Sequence, residues 1–257
     1  MITLTTDFGT DSPYVAEIKA AIVSVARDAR IIDITHAIPP QDIFQAAIVL
    51  ADVSPRFPPG TIHVAVVDPG VGTDRRLLAA SIGGQSYVAA DNGVLTGILQ
   101  DRAADLIMEL NRPAYWLDTV SRTFHDRDIM SPVAARLDDG ESIANMGVPI
   151  DDPLRIDWPL PETNHNEICG EIVRIDNFGN LITNIRGNLL ADITADRAVI
   201  ACGSHQSHGV QSTYGEHSAG TLVAVVGSAG RLELAVVNDS AAERLQVGVG
   251  QAVVVSW

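Results

Sequence analysis

Thr61-Ile62-His63-Val64-Ala65-Val66-Val67-Asp68-Pro69-Gly70-Val71-Gly72 decides how the first half of the chain is read. Thr61–Val67 is β-rich, and its run Val64-Ala65-Val66-Val67 is apolar at consecutive positions, the mark of a strand buried on both faces at the centre of a parallel sheet. Working outward, Ile2–Thr6 is a second strand and stops at Asp7-Phe8-Gly9. Ser12 and Pro13 then open a helix through Val15, Ile18, Ala21, Ile22 and Val25, spaced at about 3.6 residues. Ile31-Ile32-Asp33-Ile34 is a strand again, and Ile43–Val53 a helix closed off by Pro55. This recurring strand–helix–strand order predicts an α/β layered domain with a parallel-type sheet.

Beyond Asn145 the pattern changes. Pro149, Pro153, Pro159 and Pro161 fall within thirteen residues and predict an extended linker over 151–166. It separates an α/β domain over 1–150 from a segment, 167–257, that holds only short strands: Ile168–Ile175, Leu181–Ile185, Ala198–Cys202, Thr221–Val226, Leu232–Val237 and Ala252–Ser256. Gly and polar turns between them predict a smaller all-β domain, a barrel or a sandwich.

The 257 residues carry 17 Lys+Arg against 32 Asp+Glu, a formal charge of −15, and Lys19 is the single lysine. So acidic a chain, with no basic run, is poorly suited to gripping phosphate backbones, so no nucleic-acid partner is expected. No stretch reaches the ~18 apolar residues of a membrane span. The start, Met1-Ile2-Thr3-Leu4-Thr5-Thr6-Asp7, has no basic or apolar leader, which predicts a cytoplasmic protein. Cys169 and Cys202 have no CxxC spacing and read as small apolar filler. GxGxxG, GxxxxGK[ST] and GxSxG are all missing, which leaves nucleotide loops of those types and the serine elbow without support.

Ligands of open α/β sheets bind at the carboxyl ends of the strands. There the sequence places Asp7-Phe8-Gly9, Asp68-Pro69-Gly70-Val71-Gly72 and, after Tyr87–Ala90, Asp91-Asn92-Gly93. Each alone fits plain turn chemistry; three in one domain favour a site for a polar ligand. Thr123-Phe124-His125-Asp126-Arg127-Asp128 places a histidine among charges before a helix through Val133 and Leu137, where His125 is either a general base or a solvated loop residue. His205, His208 and His217 lie among Gly and Ser with no carboxylate set, and a flexible surface loop is preferred there over a metal site. Asp176-Asn177-Phe178-Gly179-Asn180 reads as a hairpin turn, or as an aromatic–amide pair for a heterocycle.

Taken in order, Thr6-Asp7-Phe8-Gly9-Thr10, Asp68-Pro69-Gly70-Val71-Gly72-Thr73, Asp91-Asn92-Gly93-Val94-Leu95, Thr123 to Asp128, Asp176 to Asn180 and Gly227-Ser228 resemble the S-adenosylmethionine hydroxide adenosyltransferases, relatives of the fluorinating and chlorinating adenosyltransferases. The similarity runs from Thr3 to about Val255. It implies a barrel for the C-terminal domain, and a homotrimer with substrate sites between one subunit's N-terminal domain and a neighbour's C-terminal domain. It implies attack of water or hydroxide on C5′ of S-adenosylmethionine, giving adenosine and L-methionine, with no metal and no organic cofactor. Asp68, Arg75 and His125 match the family's catalytic triad. Asp7 matches the ribose-diol acceptor, Phe124 a wall beside the sugar, Phe178 and Asn180 the adenine contacts, and Asp176 and Ser228 the groups that meet the methionine amine and carboxylate. Asn238 aligns with an Asn-containing turn near the adenine. Ala229 lacks the polar side chain of halogenating relatives. The alternatives are a halide-dependent adenosyltransferase and a non-catalytic adenosine-binding module; a metal phosphohydrolase ranks last, for want of a DxDxT-like pair.

Overall fold

A computed structural model describes residues 1–194 and 197–257, which divide into two compact units, Met1–Asp157 and Trp158–Trp257.

The first unit contains β1 (Ile2–Thr6), α1 (Tyr14–Val25), β2 (Ile31–Thr35), α2 (Ile43–Val53), β3 (Ile62–Val66), β4 (Leu77–Ile82), β5 (Gln85–Ala90), α3 (Thr96–Asp101), β6 (Leu106–Glu109), α4 (Ser131–Asp138) and β7 (Val148–Pro149). The strands form one sheet in the order β2-β1-β3-β5-β4-β6-β7. β1 and β3 are buried at every position, as the apolar run at Val64 predicts. One face of the sheet packs Leu4, Val64 and Val88 against Ile18 and Ile22 of α1 and Val133 and Ala134 of α4. The other packs Ala65, Val67, Leu78 and Ala89 against Val49 and Leu50 of α2 and Ile98 and Leu99 of α3. Helices on both faces explain why the central strands are apolar on both.

The sheet is mixed rather than parallel throughout. β2, β1, β3 and β5 run parallel, but β4 is antiparallel to β5 and β6, and β6 to β7. The cause is local. β4 and β5 are joined by Gly83-Gly84, both at positive φ (59° and 81°), the two-residue geometry of a tight hairpin. The Pro-rich stretch is extended but anchored. Asp91 Oδ1 accepts from Leu154 N at 2.7 Å, and Thr96 Oγ1 accepts from Ile156 N at 3.0 Å.

The second unit contains β8 (Glu162–Asn164), β9 (Glu167–Ile175), β10 (Leu181–Arg186), β11 (Val199–Cys202), β12 (His205–His208), β13 (Val210–Gln211), β14 (Leu222–Val226), β15 (Arg231–Val236), α5 (Ala241–Leu245) and β16 (Ala252–Ser256). They form a nearly closed, barrel-like sheet, β12-β11-β16-β9-β10-β15-β14-β13, with β8 on β9. Ile168, Ile172, Leu181, Leu234 and Val255 fill its interior.

His205 and His208 are not loop residues. They begin and end β12, whose backbone is paired with β11 across the Gly203-Ser204 turn. Three residues apart on a strand, the two side chains lie on opposite faces. Composition hid this strand, because the ladder to β11 and not β-propensity holds it.

Candidate active site

β1 connects through α1 to β2 on one side, and the chain then crosses through α2 to β3 on the other. The strand order therefore reverses between β1 and β3, and in α/β sheets such a switch point opens a crevice at the carboxyl ends. Asp7 follows β1 and Asp68 follows β3 closely. Between them lies a cleft of about 680 Å³, lined among others by Asp7, Phe8, Tyr14, Asp68, Phe124 and Asp126.

Asp68 is held by Arg75 in a side-on pair. Arg75 Nε donates to both carboxylate oxygens, at 2.9 and 2.7 Å, and Nη2 donates to Oδ2 as well. The other guanidinium nitrogen, Nη1, lies 2.8 Å from Nδ1 of His125. Arginine only donates, so Nδ1 accepts and the imidazole proton sits on Nε2. Burial first, and then the Arg75 charge, depress the His125 pKa below its usual value against the pull of Asp68 and Asp128. The ring is therefore neutral near pH 7. Gly72 closes the loop that carries Asp68; its φ of +83° suits glycine, and a Cβ there would meet the Arg122 carbonyl oxygen at 2.6 Å.

His125 is positioned by its own segment. Arg127 donates to Asp128 (2.7 and 3.0 Å) and to Glu17 of α1 (2.7 Å), and its guanidinium lies 4.8 Å from the Phe124 ring centroid. Phe124 meets Phe8 and Tyr14 edge-on, with centroids 6.0 and 5.5 Å away, so three aromatic rings wall the cleft. Asp7 Oδ2 accepts from the Gln41 backbone N–H at 2.8 Å.

Asp91 does not join the cleft. Its carboxylate accepts from Arg76 Nε at 2.7 Å and from Leu154 N, so it clamps the Pro-rich stretch. Of the three strand-end aspartates, two face the crevice and the third holds a connection.

Asp126 is the residue of this site that sequence alone does not single out. It begins a single π turn, Asp126–Met130, immediately before α4. Such turns insert an extra residue into a helix and recur at functional sites. Its side chain is buried (4% exposed), and Oδ1 has no hydrogen-bond partner. Asp128, two residues on and equally buried, is by contrast paired with Arg127 and Ser121 N. Burial, and next the charge of Asp68, push the Asp126 pKa up to about 7. Because that value lies above the unfolded carboxyl's 3.8, this group favours folding fully only at low pH and loses the contribution as pH rises toward 7. Asp126→Asn, which cannot ionise, is expected to gain about 2 to 3 kcal/mol of stability on wild type between pH 5 and pH 8, read from melting or urea curves at both values.

In the second unit, Asp176 Oδ1 accepts from the backbone N–H groups of Phe178 and Asn180, both at 2.9 Å, and Oδ2 from the Asn180 amide at 2.9 Å. The aspartate thus holds the tip of the β9–β10 turn, where Phe178 is 79% exposed. A hollow of about 540 Å³ is lined by Phe178, Asn180, Tyr214 and Asn238. Tyr214, which no sequence motif marks, donates to Glu233 Oε2 at 2.8 Å. Asn238 adopts φ +59°, just after β15. Ser228 is exposed in the turn before β15, next to Gly227, where a Cβ would abut the Glu233 carboxylate that accepts from Tyr214.

A carboxylate-lined crevice at the switch point of an α/β sheet, backed by a half-buried Asp–Arg–His chain, belongs to the class of enzymes that act on a small polar substrate. The sequence matches the family model for the SAM hydroxide adenosyltransferase N-terminal domain over residues 2–147 and that for its C-terminal domain over residues 170–254. The chain belongs to the SAM hydroxide adenosyltransferase family. It is 38% identical to the (R)-S-adenosyl-L-methionine hydrolase of Thermus thermophilus, covering 96% of each chain. It is 35% identical to the protein of that name from Salinispora arenicola, over 97% of this chain and 95% of that one. A fluorinase of Nocardia brasiliensis is more distant, at 26% over 72% of this chain and 71% of its own. Among solved structures, a conserved protein of Thermotoga maritima superposes with a TM-score of 0.95 at 35% identity, covering all of both chains.

Proposed function

We propose that the protein hydrolyses S-adenosyl-L-methionine at C5′ to adenosine and L-methionine, by the chemistry that follows. The observation that carries this reading is the Asp68–Arg75–His125 chain, with its carboxylate lining the crevice at the switch point.

The sulfonium is a good leaving group and departs as a neutral thioether. The enzyme therefore has no leaving group to protonate. It must hold an oxygen nucleophile in line with the C5′–S bond and keep other solvent away. Asp68, fixed by Arg75, orients the attacking water. Arg75 and His125 hold the arrangement, and Phe8, Tyr14 and Phe124 exclude solvent. The new C5′–O bond forms as the C5′–S pair returns to sulfur. Asp7 accepts from the ribose diol, Phe178, Asn180 and Asn238 take the adenine, and Asp176 and Ser228 meet the amino-acid end. In this reading 1–150 supplies the chemistry, 151–166 connects, and 167–257 supplies adenine and methionine binding.

A halide would enter a cleft that Asp7, Asp68 and Asp126 line. Unit charges a few ångströms apart in a partly dry site repel by about 4 kcal/mol at an effective dielectric of 20, so the same carboxylates that suit a cationic sulfonium oppose an anion. The homotrimer with interfacial sites rests on the sequence resemblance. No helix of the described residues is long and apolar enough to cross a membrane.

Incubation with the (R) form of S-adenosyl-L-methionine, the form in the relatives' names, in H₂¹⁸O is expected to yield adenosine labelled at the 5′ oxygen plus unlabelled methionine. Release of free adenine, or adenosine without label, refutes C5′ hydrolysis.

A further inference from the structure

The attacking water must give up a proton, and the groups named so far are engaged. Both oxygens of Asp68 accept from Arg75, and Nδ1 of His125 accepts from the same guanidinium. Asp128 is bound by Arg127 and Ser121 N, and Glu17 by Arg127. Asp7 accepts from Gln41 N. Asp126 differs from all of them. It lines the same cleft beside Asp68, it is buried, and Oδ1 has no partner. Its backbone is fixed, since its carbonyl oxygen accepts from both the N–H and the hydroxyl of Ser131 across the π turn.

Resting on the hydrolase reading above, we propose that Asp126 is a catalytic residue, the general base that takes the proton from the water oriented by Asp68. In the step, one O–H bond of water breaks and its proton passes to the Asp126 carboxylate. The water oxygen bonds to C5′, and the C5′–S pair leaves with methionine. Asp126 afterwards returns the proton to solvent. Atoms and charge balance: the sulfonium's positive charge leaves as that proton.

The groups facing Asp126 set its titration. Asp68 and Arg75 come from the β3–β4 connection and Asp7 from the end of β1. Glu17 lies on α1, and His125, Arg127 and Asp128 flank it in its own segment. Asp68 and Asp7 raise its pKa and Arg75 lowers it, leaving the carboxyl near the operating pH, where a general base works best. A bound sulfonium adds a positive charge and favours the ionised base, so the base is drawn out by the substrate it serves.

The wild-type product assay comes first, because absence of adenosine and methionine there overturns the hydrolase reading itself. Given turnover, kcat/KM is expected to fall below about pH 7 as Asp126 protonates, and the same limb in kcat is expected at lower pH. Asp126→Asn is expected to lower kcat by roughly 100-fold or more, to move KM little, and to lose that limb. Ionisations of the substrate are common to both enzymes, and a limb from His125 falls lower, below 6.5. An Asn variant with kcat within about threefold of wild type, or a wild-type profile with no limb near pH 7, overturns the assignment of Asp126. The wild-type profile decides even if the variant fails to fold.

Discussion

Asp68→Ala is expected to lower turnover roughly 1,000-fold while S-adenosylmethionine still binds. The carboxylate is the end of the Asp–Arg–His chain that faces the cleft, and its work is done on water rather than on the adenosine or methionine ends. Calorimetric binding with a saturating signal, beside single-turnover assays of adenosine, separates the two effects. Removing Asp68 also leaves the Arg75 guanidinium, only 9% exposed, without its counter-charge, and breaking a buried pair costs about 3 to 5 kcal/mol. Asp68→Asn, which keeps the shape and one acceptor, therefore belongs beside it. Equal losses in both variants, with binding intact, attribute the effect to the lost carboxylate and not to a loosened fold. Undiminished turnover in Asp68→Ala removes the residue from the mechanism.

Arg75→Lys is expected to lower kcat about 100-fold although the charge is retained. One planar guanidinium grips both oxygens of Asp68 along one edge and reaches His125 Nδ1 from another nitrogen. An ammonium on a flexible stem has no such fork, and holds Asp68 or His125 but not both in register. The same contact sets an acid limit. His125 has a pKa depressed below 6.5, so its neutral form contributes to stability above that value, and the contribution is lost as pH falls through the folded pKa. Protonated Nδ1 and Arg75 Nη1 would be two donors face to face. Rate measurements from pH 5 to pH 8 on wild type and Arg75→Lys check both points; a lysine variant with wild-type kcat refutes the positioning role of the fork.

Particular residues show how far the chain could be read in advance. The apolar run Val64 to Val67 marks a central strand because a strand covered by helices on both faces must be apolar on both, and β3 is that strand. Asp7 and Asp68 could be picked out because carboxyl ends of strands are where α/β sheets hold ligands, but Asp91, with the same Asp-x-Gly pattern, became a clamp on residues 150–157. The difference is which strand each follows: β1 and β3 flank the reversal of strand order, and β5 does not. No local pattern carries that information. The antiparallel insertion of β4 had a visible cause in Gly83-Gly84, whereas β12 had none, since its residues are poor strand formers held by β11.

The amino-acid order alone settles the elements that depend on neighbours a few residues apart: the helices by their 3.6-residue spacing, the buried strands by their apolar runs, and the motifs in their family order. Asp126 lies beyond that reach. Its chemistry comes from a π turn that faces it into the cleft, from burial that strips its water, and from Asp68, 58 positions earlier in the chain, whose charge arrives beside it only on folding. A side chain's type is written in the sequence, but its proton affinity depends on the solvent and charges around it, and those are set by the tertiary structure.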